Sequence, residues 1–316
     1  MPAISQAFRC FDEVARRGSV RKAAETLHLT AAAVNQQVLN LEATVGVPLF
    51  DRLPRGMQLT TAGELMIAAV RRSQRDFDNA LSQVEDLRKV RRGHVNVGVP
   101  YATAEHLLPQ VIENVQKSHP DITFSVRSGN GEALQRWVAN GEIDVAFCLR
   151  RKPPPGVEEV RAYAQPLGVV TAPGHPLTAT PRLLRLRDCL DHPLILLSPE
   201  MELRSLLERV DPRLTRLGRP QVETGSVPMV RRLVAGSQAV SFLIPDNVAE
   251  DVEAGRLTWV ALEDQGAALH SCIYQRSGYS TAVAMGLFLE ALDAEVNRIR
   301  ERFDTRHALR LQAFAT

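Results

Sequence analysis

The sequence predicts a multidomain protein in which an α-helical head is joined by a long helix to an α/β body. Three observations support this prediction. Two short amphipathic segments separated by a tight turn lie near the start of the chain, an apolar heptad pattern runs over residues 66–87, and strand and helix patterns alternate from residue 93 onward. With 316 residues, 45% of them hydrophobic, the chain can bury more than one core.

Residues 1–60 contain three segments in which apolar side chains recur at three- and four-residue spacing, which predicts three helices. Gly18 can end the first helix, and Ser19 can cap the second. Thr30 can cap the third, which is predicted to reach about Glu42. Because two short helices joined by a tight turn are typical of a helix-turn-helix, the head is predicted to bind DNA.

The next segment, VGVPLFDRLPRGMQLT, has two short apolar runs around a turn, which predicts a small hairpin or wing. Thr61 then stands three residues before Glu64, a capping-box spacing that predicts the start of a long helix. A heptad seam along this helix favours dimerisation over the alternative, a helix that lies on its own domain. The seam consists of Met66, Val70, Ser73, Phe77, Ala80, Val84 and Leu87.

The body begins after a basic run, Arg88 to Gly93, which is interpreted as a hinge. Beyond the hinge, strand patterns such as HVNVGVP, TFSVRS and IDVAFCL alternate with helical ones. Such βα units predict largely parallel sheets covered by helices. The last helix is predicted from about Thr281 to Arg302, which leaves a tail at 303–316.

Several classes of protein lack support in the sequence. The chain begins without a signal-peptide pattern and has no uncharged run of eighteen apolar residues, so we expect a cytoplasmic protein with no membrane partner. Its cysteines are scattered and form no CxxC pair, so we expect buried thiols, no bound metal and little support for a redox pair. The four cysteines are Cys10, Cys148, Cys189 and Cys272.

An enzyme and a solute-binding protein are the alternatives to a DNA-binding regulator. The chain has no GxSxG, P-loop, HExxH or strand-linked GxGxxG, so we expect no catalytic residues and no cofactor. A solute-binding protein would need a signal peptide and would have no use for the head. Residues 1–92 hold 14 Lys and Arg against 10 Asp and Glu, which weakly favours an end that faces nucleic acid.

The head and the body both resemble the LysR-type transcriptional regulators. In the head, FxxVARRGSVxxAAExLxLTxxAV, VGVPLF and LTTAG fall in that family's order and spacing, and in the body PDITFSV, LQRWVANGEIDVAF and APGHPL do. The resemblance covers about residues 5–300. It implies a winged helix-turn-helix, a linker helix that dimerises, and an effector-binding domain of two α/β subdomains like those of periplasmic binding proteins.

The same resemblance implies where the domains begin and end. The predicted ranges are 1–60 for the winged head, 61–92 for the linker helix and hinge, about 93–163 with 268–302 for subdomain I, about 164–267 for subdomain II, and 303–316 for the tail. The chain would cross between the subdomains near 161–165 and 265–269. Many members are tetramers that bind an interrupted palindrome in double-stranded DNA, and RNA polymerase is a possible further partner.

Eight residues of the head are predicted to contact DNA. Asn35 and Gln36 can pair with adenine in the major groove, and alanine methyls can contact thymine. Hydroxyls at helix starts can approach phosphates, and wing arginines can contact phosphates or a narrow minor groove. The predicted residues are Ser19, Thr30, Ala31, Ala32, Asn35, Gln36, Arg52 and Arg55.

Each assignment has a structural alternative. The two hydroxyls can be plain helix caps, Arg52 can form an ion pair within the head, and Asn35 and Gln36 can belong to a solvated helix face. The helix also departs from the family's usual residues. It has Asn35 where serine is common, and Gln36 and Leu39 where basic residues are frequent, so fewer cationic contacts are expected.

The effector is expected at the carboxyl ends of strands, where helix starts supply amide donors. Matching the chain to the family's effector cleft suggests Thr103, Ser128, Arg150, Ser198 and Ser226. Hydroxyls, helix ends and one arginine would suit a small organic anion such as a carboxylate. For each hydroxyl alone, helix capping is the alternative. Ligand binding would shift the population of lobe arrangements, and this shift would change how the paired heads sit on DNA.

Overall fold

The computed structural model describes residues 5–53, 56–87, 93–179, 184–216, 220–278 and 283–315. Its helices in chain order are α1 (Gln6–Arg17), α2 (Val20–Leu27), α3 (Ala31–Val45), α4 (Thr61–Leu87), α5 (Tyr101–Glu105), α6 (Leu107–Ser118), α7 (Gly131–Ala139), α8 (Pro176–Ala179), α9 (Glu202–Val210), α10 (Val227–Ala235), α11 (Ala249–Glu253) and α12 (Val283–Ala315). Its strands are β1 (Phe50–Leu53), β2 (Gly56–Leu59), β3 (Gly93–Val99), β4 (Ile122–Ser128), β5 (Val145–Leu149), β6 (Val157–Pro166), β7 (Gly168–Thr171), β8 (Ile195–Leu197), β9 (Val222–Thr224), β10 (Ser241–Leu243), β11 (Thr258–Ala261) and β12 (Ala268–Arg276).

The helices of the head begin at the predicted caps. The Ser19 hydroxyl accepts the backbone N–H of Lys22 at 3.4 Å, and the Thr30 hydroxyl accepts that of Ala33 at 3.1 Å. Gly18 ends α1 with a φ of 62°. The third helix runs three residues beyond the predicted end at Glu42, because the first residue in the left-handed conformation that stops a helix is Gly46, with a φ of 82°.

The wing is the antiparallel pair β1–β2, and it packs on the helices through one apolar core. Phe11 of α1 and Phe50 of β1 meet edge to face, with ring centroids 5.3 Å apart. The Glu42 carboxylate of α3 accepts the backbone N–H groups of Leu49 at 2.8 Å and Phe50 at 3.2 Å. This carboxylate therefore fixes the start of the wing to the third helix.

The cap of the long helix α4 is Thr60 and not the predicted Thr61. The Thr60 hydroxyl accepts the backbone N–H of Gly63 at 3.0 Å, and the Thr60 carbonyl accepts that of Glu64 at 2.8 Å. Thr60 takes this role because its own N–H is bound to the Leu49 carbonyl at 3.1 Å, which holds it against the wing just before the helix starts.

Both interpretations of α4 have support along its length. Ile67 and Val70 are buried in the core of the head, so the first part of the seam covers its own domain. Arg71 adds an ion pair with Asp12 of α1 at 2.7 Å. About two turns after Val70, the ring of Phe77 is 38% exposed in the single chain. The hinge residues 88–92 lie outside the described part of the chain.

The body is built on two main sheets. The five-stranded sheet has the order β4-β3-β5-β12-β6, and with its helices forms lobe I; the three-stranded sheet β10-β7-β11 and the pair β8-β9 belong to lobe II. The prediction of largely parallel sheets is wrong in part. Strands β3, β4 and β5 are parallel, but β12 is antiparallel to β5 and β6, and β7 is antiparallel to both its neighbours.

The antiparallel strands are those that lead the chain from one lobe to the other. β6 ends in lobe I at Pro166 and β7 begins in lobe II at Gly168, so the first crossing is at residue 167, two residues beyond the predicted range. The return crossing lies between Ala261 and Ala268. Because β6 and β12 pair over most of their length, the two crossings lie side by side.

The tail predicted at 303–316 is part of a helix. Helix α12 continues through Ala315, since the residues after Arg302 include no glycine or proline to stop it. Phe303 is buried and meets the Trp259 ring edge to face, with centroids 4.9 Å apart. The last helix therefore ends thirteen residues later than predicted, and it joins lobe I to the outer strand of lobe II.

Candidate functional site

The third helix presents the predicted DNA-facing side chains to solvent. Val34 and Val38 are buried in the head, whereas Ala31, Ala32 and Gln36 are exposed. Ala31 and Ala32 carry only methyl groups. The start of the helix therefore has little side-chain bulk that would keep its backbone away from a DNA groove. Residues with short or amide side chains thus lie together on the exposed side of α3.

Asn35 is half-buried because it is hydrogen-bonded to the wing. The Arg52 guanidinium of β1 donates to the Asn35 side-chain oxygen at 3.2 Å. The acceptor for Arg52 is therefore a neutral amide. This differs from the alternative considered for Arg52, an ion pair with a carboxylate of the head. The contact leaves the NH₂ group of Asn35 as a donor and brings a positive charge beside it. Gln36 in turn donates to Asn40 at 2.9 Å.

The two predicted phosphate contacts, Ser19 and Thr30, are both helix caps. Each hydroxyl oxygen accepts a backbone N–H, which leaves its own proton free to be donated. Capping and contact with a phosphate oxygen are consequently compatible at both positions. Arg55 of the wing lies outside the described residues.

A cavity of about 590 Å³ lies between the lobes of the body. Three nine-residue helices begin at its wall, α7 from lobe I and α9 and α10 from lobe II. The first N–H groups of a helix have no acceptor within it, so each helix start contributes partial positive charge and free donors. Much of the remaining wall is apolar, with Phe147, Leu197 and Ile244 among its members.

Two of the five predicted effector residues line this cavity. Thr103 lies on α5 and is 8% exposed, and Ser226 caps α10 by accepting the backbone N–H of Met229 at 3.3 Å. Ser128 ends β4 next to the lining residue Gly129, and Ser198 follows β8, but neither belongs to the wall itself.

Arg150, the fifth predicted residue, is not brought to the cavity. Its backbone N–H extends the ladder with β12 by donating to the His270 carbonyl at 2.7 Å, and its guanidinium binds Glu159 of β6, with one contact of 3.0 Å. This hydrogen bonding lowers the pKa of Glu159 below its ordinary value. Arg150 is thereby occupied by a partner on its own sheet.

The next residue, Arg151, instead binds a residue of the cavity wall. Its guanidinium binds Glu202, the first residue of α9, at 2.5 Å. The buried Tyr274 hydroxyl holds the backbone of Arg151 through its N–H and its carbonyl, both at 2.9 Å. Successive residues of an extended chain point to opposite sides, so Arg150 and Arg151 leave β5 in different directions. The sequence contained no signal that distinguished them.

Three carboxylate residues line the cavity, and sequence reasoning found none of them. They are Glu200 and Glu202 near the start of α9 and Asp246, which follows β10. Among the described residues of the wall there is no lysine, arginine or histidine. Asp246 is 3% exposed and accepts a hydrogen bond from Gln165 at 2.6 Å. Burial, with a smaller contribution from Glu295, raises the pKa of Asp246 to about 7.

The thiols have surroundings that disfavour reactivity. All four cysteines are buried, and burial raises the pKa of Cys148, which lines the cavity, to about 12. Cys148 and Cys272 are paired across β5 and β12, and burial raises the pKa of Cys272 too. Because the thiolate is the reactive form, little of either side chain is reactive at neutral pH.

Within the described ranges, no three side chains among His, Cys, Asp and Glu lie close enough together to hold a metal ion. None of the helices in the same ranges is both long and apolar enough to cross a membrane.

Comparison with known families covers nearly the whole chain. Residues 5–64 match the bacterial regulatory helix-turn-helix protein of the lysR family, and residues 88–297 match the LysR substrate binding domain. The first range contains the helix-turn-helix and the wing, and the second contains both lobes and the cavity.

Relatives and solved structures agree with this match. The HTH-type transcriptional regulator CbbR of Xanthobacter flavus is 31% identical over 255 residues, which cover 79% of this chain and 75% of that protein. The HTH-type transcriptional activator CmpR of a Synechocystis strain is 27% identical over 290 residues, covering 91% and 94%.

Two full-length structures have the same fold. One is an OxyR variant from Pseudomonas aeruginosa, with a TM-score of 0.66 at 19% identity and coverage of 92% of this chain and 93% of that one. The other is CbnR in complex with its target DNA, with a TM-score of 0.61 at 18% identity and coverage of 92% and 99%. The chain therefore belongs to the LysR family: it is a DNA-binding transcriptional regulator whose body is an effector-binding domain.

Proposed function

We propose that the head reads an interrupted palindrome in double-stranded DNA with α3 in the major groove, and that a small organic anion bound between the lobes changes how two paired heads sit on that DNA. The observation that carries the first part is the exposed face of α3, where Ala31, Ala32, Asn35 and Gln36 lie beside Arg52 of the wing. Ser19, Thr30, Arg52 and Arg55 are assigned to phosphates or the minor groove.

The contact from Asn35 is assigned to a base. An asparagine can pair with adenine through its oxygen and its NH₂ group. Arg52 holds the Asn35 amide in one orientation at 3.2 Å, so less rotational freedom is lost when DNA binds. The Asn35 oxygen has a second lone pair, so it can accept a hydrogen bond from the base while the guanidinium stays in place.

The variant Asn35→Ala should lose specific operator binding in a gel-shift titration. A lost bidentate base contact costs about 1–3 kcal/mol, and each dimer loses two, so no shifted band is expected at protein concentrations that saturate the wild-type complex. Thr44→Ala, near the other end of α3, is the matched control and should bind like the wild type. Undiminished binding by Asn35→Ala would remove this residue from the base-reading surface.

Pairing of two chains is assigned to α4. Its seam begins on the head's own core and continues past Phe77, which is 38% exposed in the single chain. Burying the exposed part of this ring against a partner would contribute about 1 kcal/mol. A tetramer of two such dimers would match the spacing of an interrupted palindrome. RNA polymerase is proposed as a further partner of the DNA-bound assembly.

Phe77→Glu should weaken the dimer at least tenfold, because it replaces a buried ring with a charge that must be desolvated. Sedimentation of the variant over a range of concentrations measures this change. Arg75→Gln lowers the net charge by the same one unit at a position outside the heptad seam, and should leave the association constant nearly unchanged. Equal weakening by both variants would indicate a general charge effect and count against the seam.

The anion is assigned to the cavity because three helix starts converge on it. Each contributes about half a positive charge, and α9 begins at Met201 without a side-chain cap. Its first-turn amides are therefore available to a ligand oxygen. We further propose that the protein acts in the cytoplasm without catalysing a reaction. Lobe II is inserted into lobe I between the two crossings, at residue 167 and at residues 262–267.

A further inference from the structure

The geometry points to a more specific effector: a zwitterionic α-amino acid with an apolar side chain, whose carboxylate lies at the helix starts and whose ammonium group lies against Glu200 and Asp246. This inference rests on the proposed function, since it takes the cavity as the effector site. It goes further by naming a second charge that a simple organic anion lacks.

The anionic half of the ligand follows from the free amides. In α7 the Asn130 side chain accepts the N–H of Ala133, which leaves those of Gly131 and Glu132 without an intrahelical acceptor. In α9 no side chain caps the first turn. The Arg151–Glu202 ion pair connects the two helix starts, since a Cβ added at Gly131 would be 2.7 Å from the Arg151 side chain and 3.5 Å from the Glu202 carboxylate. One carboxylate of the ligand can therefore reach amides from both lobes.

The cationic half follows from the balance of charge in the wall. Glu202 is already neutralised by Arg151 at 2.5 Å. Glu200 is exposed at the mouth of the cavity and makes no ion pair with a described residue, and Asp246 has only the neutral Gln165 as its hydrogen-bond donor. With no cationic side chain in the described wall, Glu200 and the ionised form of Asp246 repel a purely anionic ligand and favour one that also carries an ammonium group.

The apolar body of the ligand follows from the size and lining of the cavity. About 590 Å³ is within the range of small-molecule sites and exceeds what a short polar acid needs. Phe147, Leu197 and Ile244 are each at most 5% exposed and line the space between the charged groups. An aliphatic or aromatic side chain would fill it.

The test uses the full chain and matched compounds that differ by one charged group. L-phenylalanine is compared with 3-phenylpropanoate, which lacks the amine, and with 2-phenylethylamine, which lacks the carboxylate. L-leucine, 4-methylpentanoate and 3-methylbutylamine form the aliphatic set. Calorimetry and thermal unfolding measure binding. At least one amino acid should bind ten times more tightly than either of its single-charge analogues, because each lost group removes a charge-assisted hydrogen bond.

Variants of the wall locate the ammonium site. At pH 8, Glu200→Gln and Asp246→Asn should each weaken binding of the amino acid about tenfold, whereas binding of the amine-free acid should become tighter because a repelling charge is lost. Glu290→Gln, exposed on α12 and away from the cavity, should change neither affinity. Glu200 is exposed, so its variant should fold even if Asp246→Asn does not.

Each other outcome overturns the inference in a recognisable way. If the amine-free acid binds as tightly as the amino acid, the zwitterion is wrong and the organic anion of the proposed function stands. If the amine alone binds as tightly, both ligand assignments fail. If none of the six compounds binds, the inference fails, while the proposed DNA contacts still depend on the separate gel-shift result for Asn35→Ala.

Discussion

Replacing Gly63 with alanine should unfold the DNA-binding head while the effector-binding domain stays folded. Gly63 lies in the first turn of α4, where a Cβ would be 2.0 Å from the backbone oxygen of Leu49 and 3.0 Å from a methyl group of Leu59. The Leu49 oxygen cannot move aside freely, because it accepts the N–H of Thr60 at 3.1 Å and thereby ties the helix to the wing.

The expected cost is about 3 kcal/mol or more, since overpacking against backbone forces the wing away from the helices. Small domains have only about 5–15 kcal/mol of total stability, so the head would be partly unfolded at physiological temperature. Calorimetry should record an earlier transition for the head and an unchanged one for the body, and operator binding should fall in a gel shift.

Gly286→Ala is the matched control for Gly63→Ala. It makes the same change near the start of α12, where an added Cβ meets nothing within 4 Å. Alanine is favoured over glycine in such a helix by about 0.5–1 kcal/mol, so this variant should be slightly more stable than the wild type. A head transition at the wild-type temperature in Gly63→Ala would show that the wing is not fixed against α4.

Replacing Asp246 with asparagine should remove a large pH dependence of stability. Burial raises the pKa of this carboxyl from its ordinary value of 3.8 to about 7 in the folded protein. Between those values the folded state holds a proton that the unfolded state has released. The contribution of this carboxyl group to the free energy of unfolding is therefore largest below about pH 4, and it is lost as the pH rises through about 7.

The difference between these pKa values corresponds to about 4 kcal/mol at most. Asparagine cannot ionise, and its amide oxygen can still accept the hydrogen bond from Gln165. The free energy of unfolding of Asp246→Asn, relative to the wild type, should therefore increase by up to about 4 kcal/mol between pH 4 and pH 8.

Urea unfolding of the ligand-free chain at a series of pH values measures this difference. Asp304→Asn, exposed on α12, is the control and should follow the wild-type curve. Parallel curves for Asp246→Asn and the wild type would mean that the carboxyl is already ionised in the folded protein, and would contradict its desolvation.

The head was the part of the molecule that could be predicted in most detail. The caps Ser19 and Thr30 each bind an N–H three residues away, so the information lies within one turn of chain. The same reasoning chose Thr61 over Thr60, because the deciding contact is with Leu49, outside the local segment. The predicted end of α12 at Arg302 is too early because Phe303 packs on the ring of Trp259, 44 residues before it in the chain.

The order of the domains, the helix-turn-helix and its exposed face follow from local sequence, because periodicity, capping and turn residues act over a few positions. Which arginine binds a carboxylate of the cavity wall, and which carboxyls line that wall, depends on tertiary structure. Arg151 meets Glu202 from 51 positions away, and Asp246 meets Gln165 from 81. The side of a sheet to which a side chain points, and the burial of a carboxyl group, depend on elements that folding brings together. No local sequence pattern therefore predicts them.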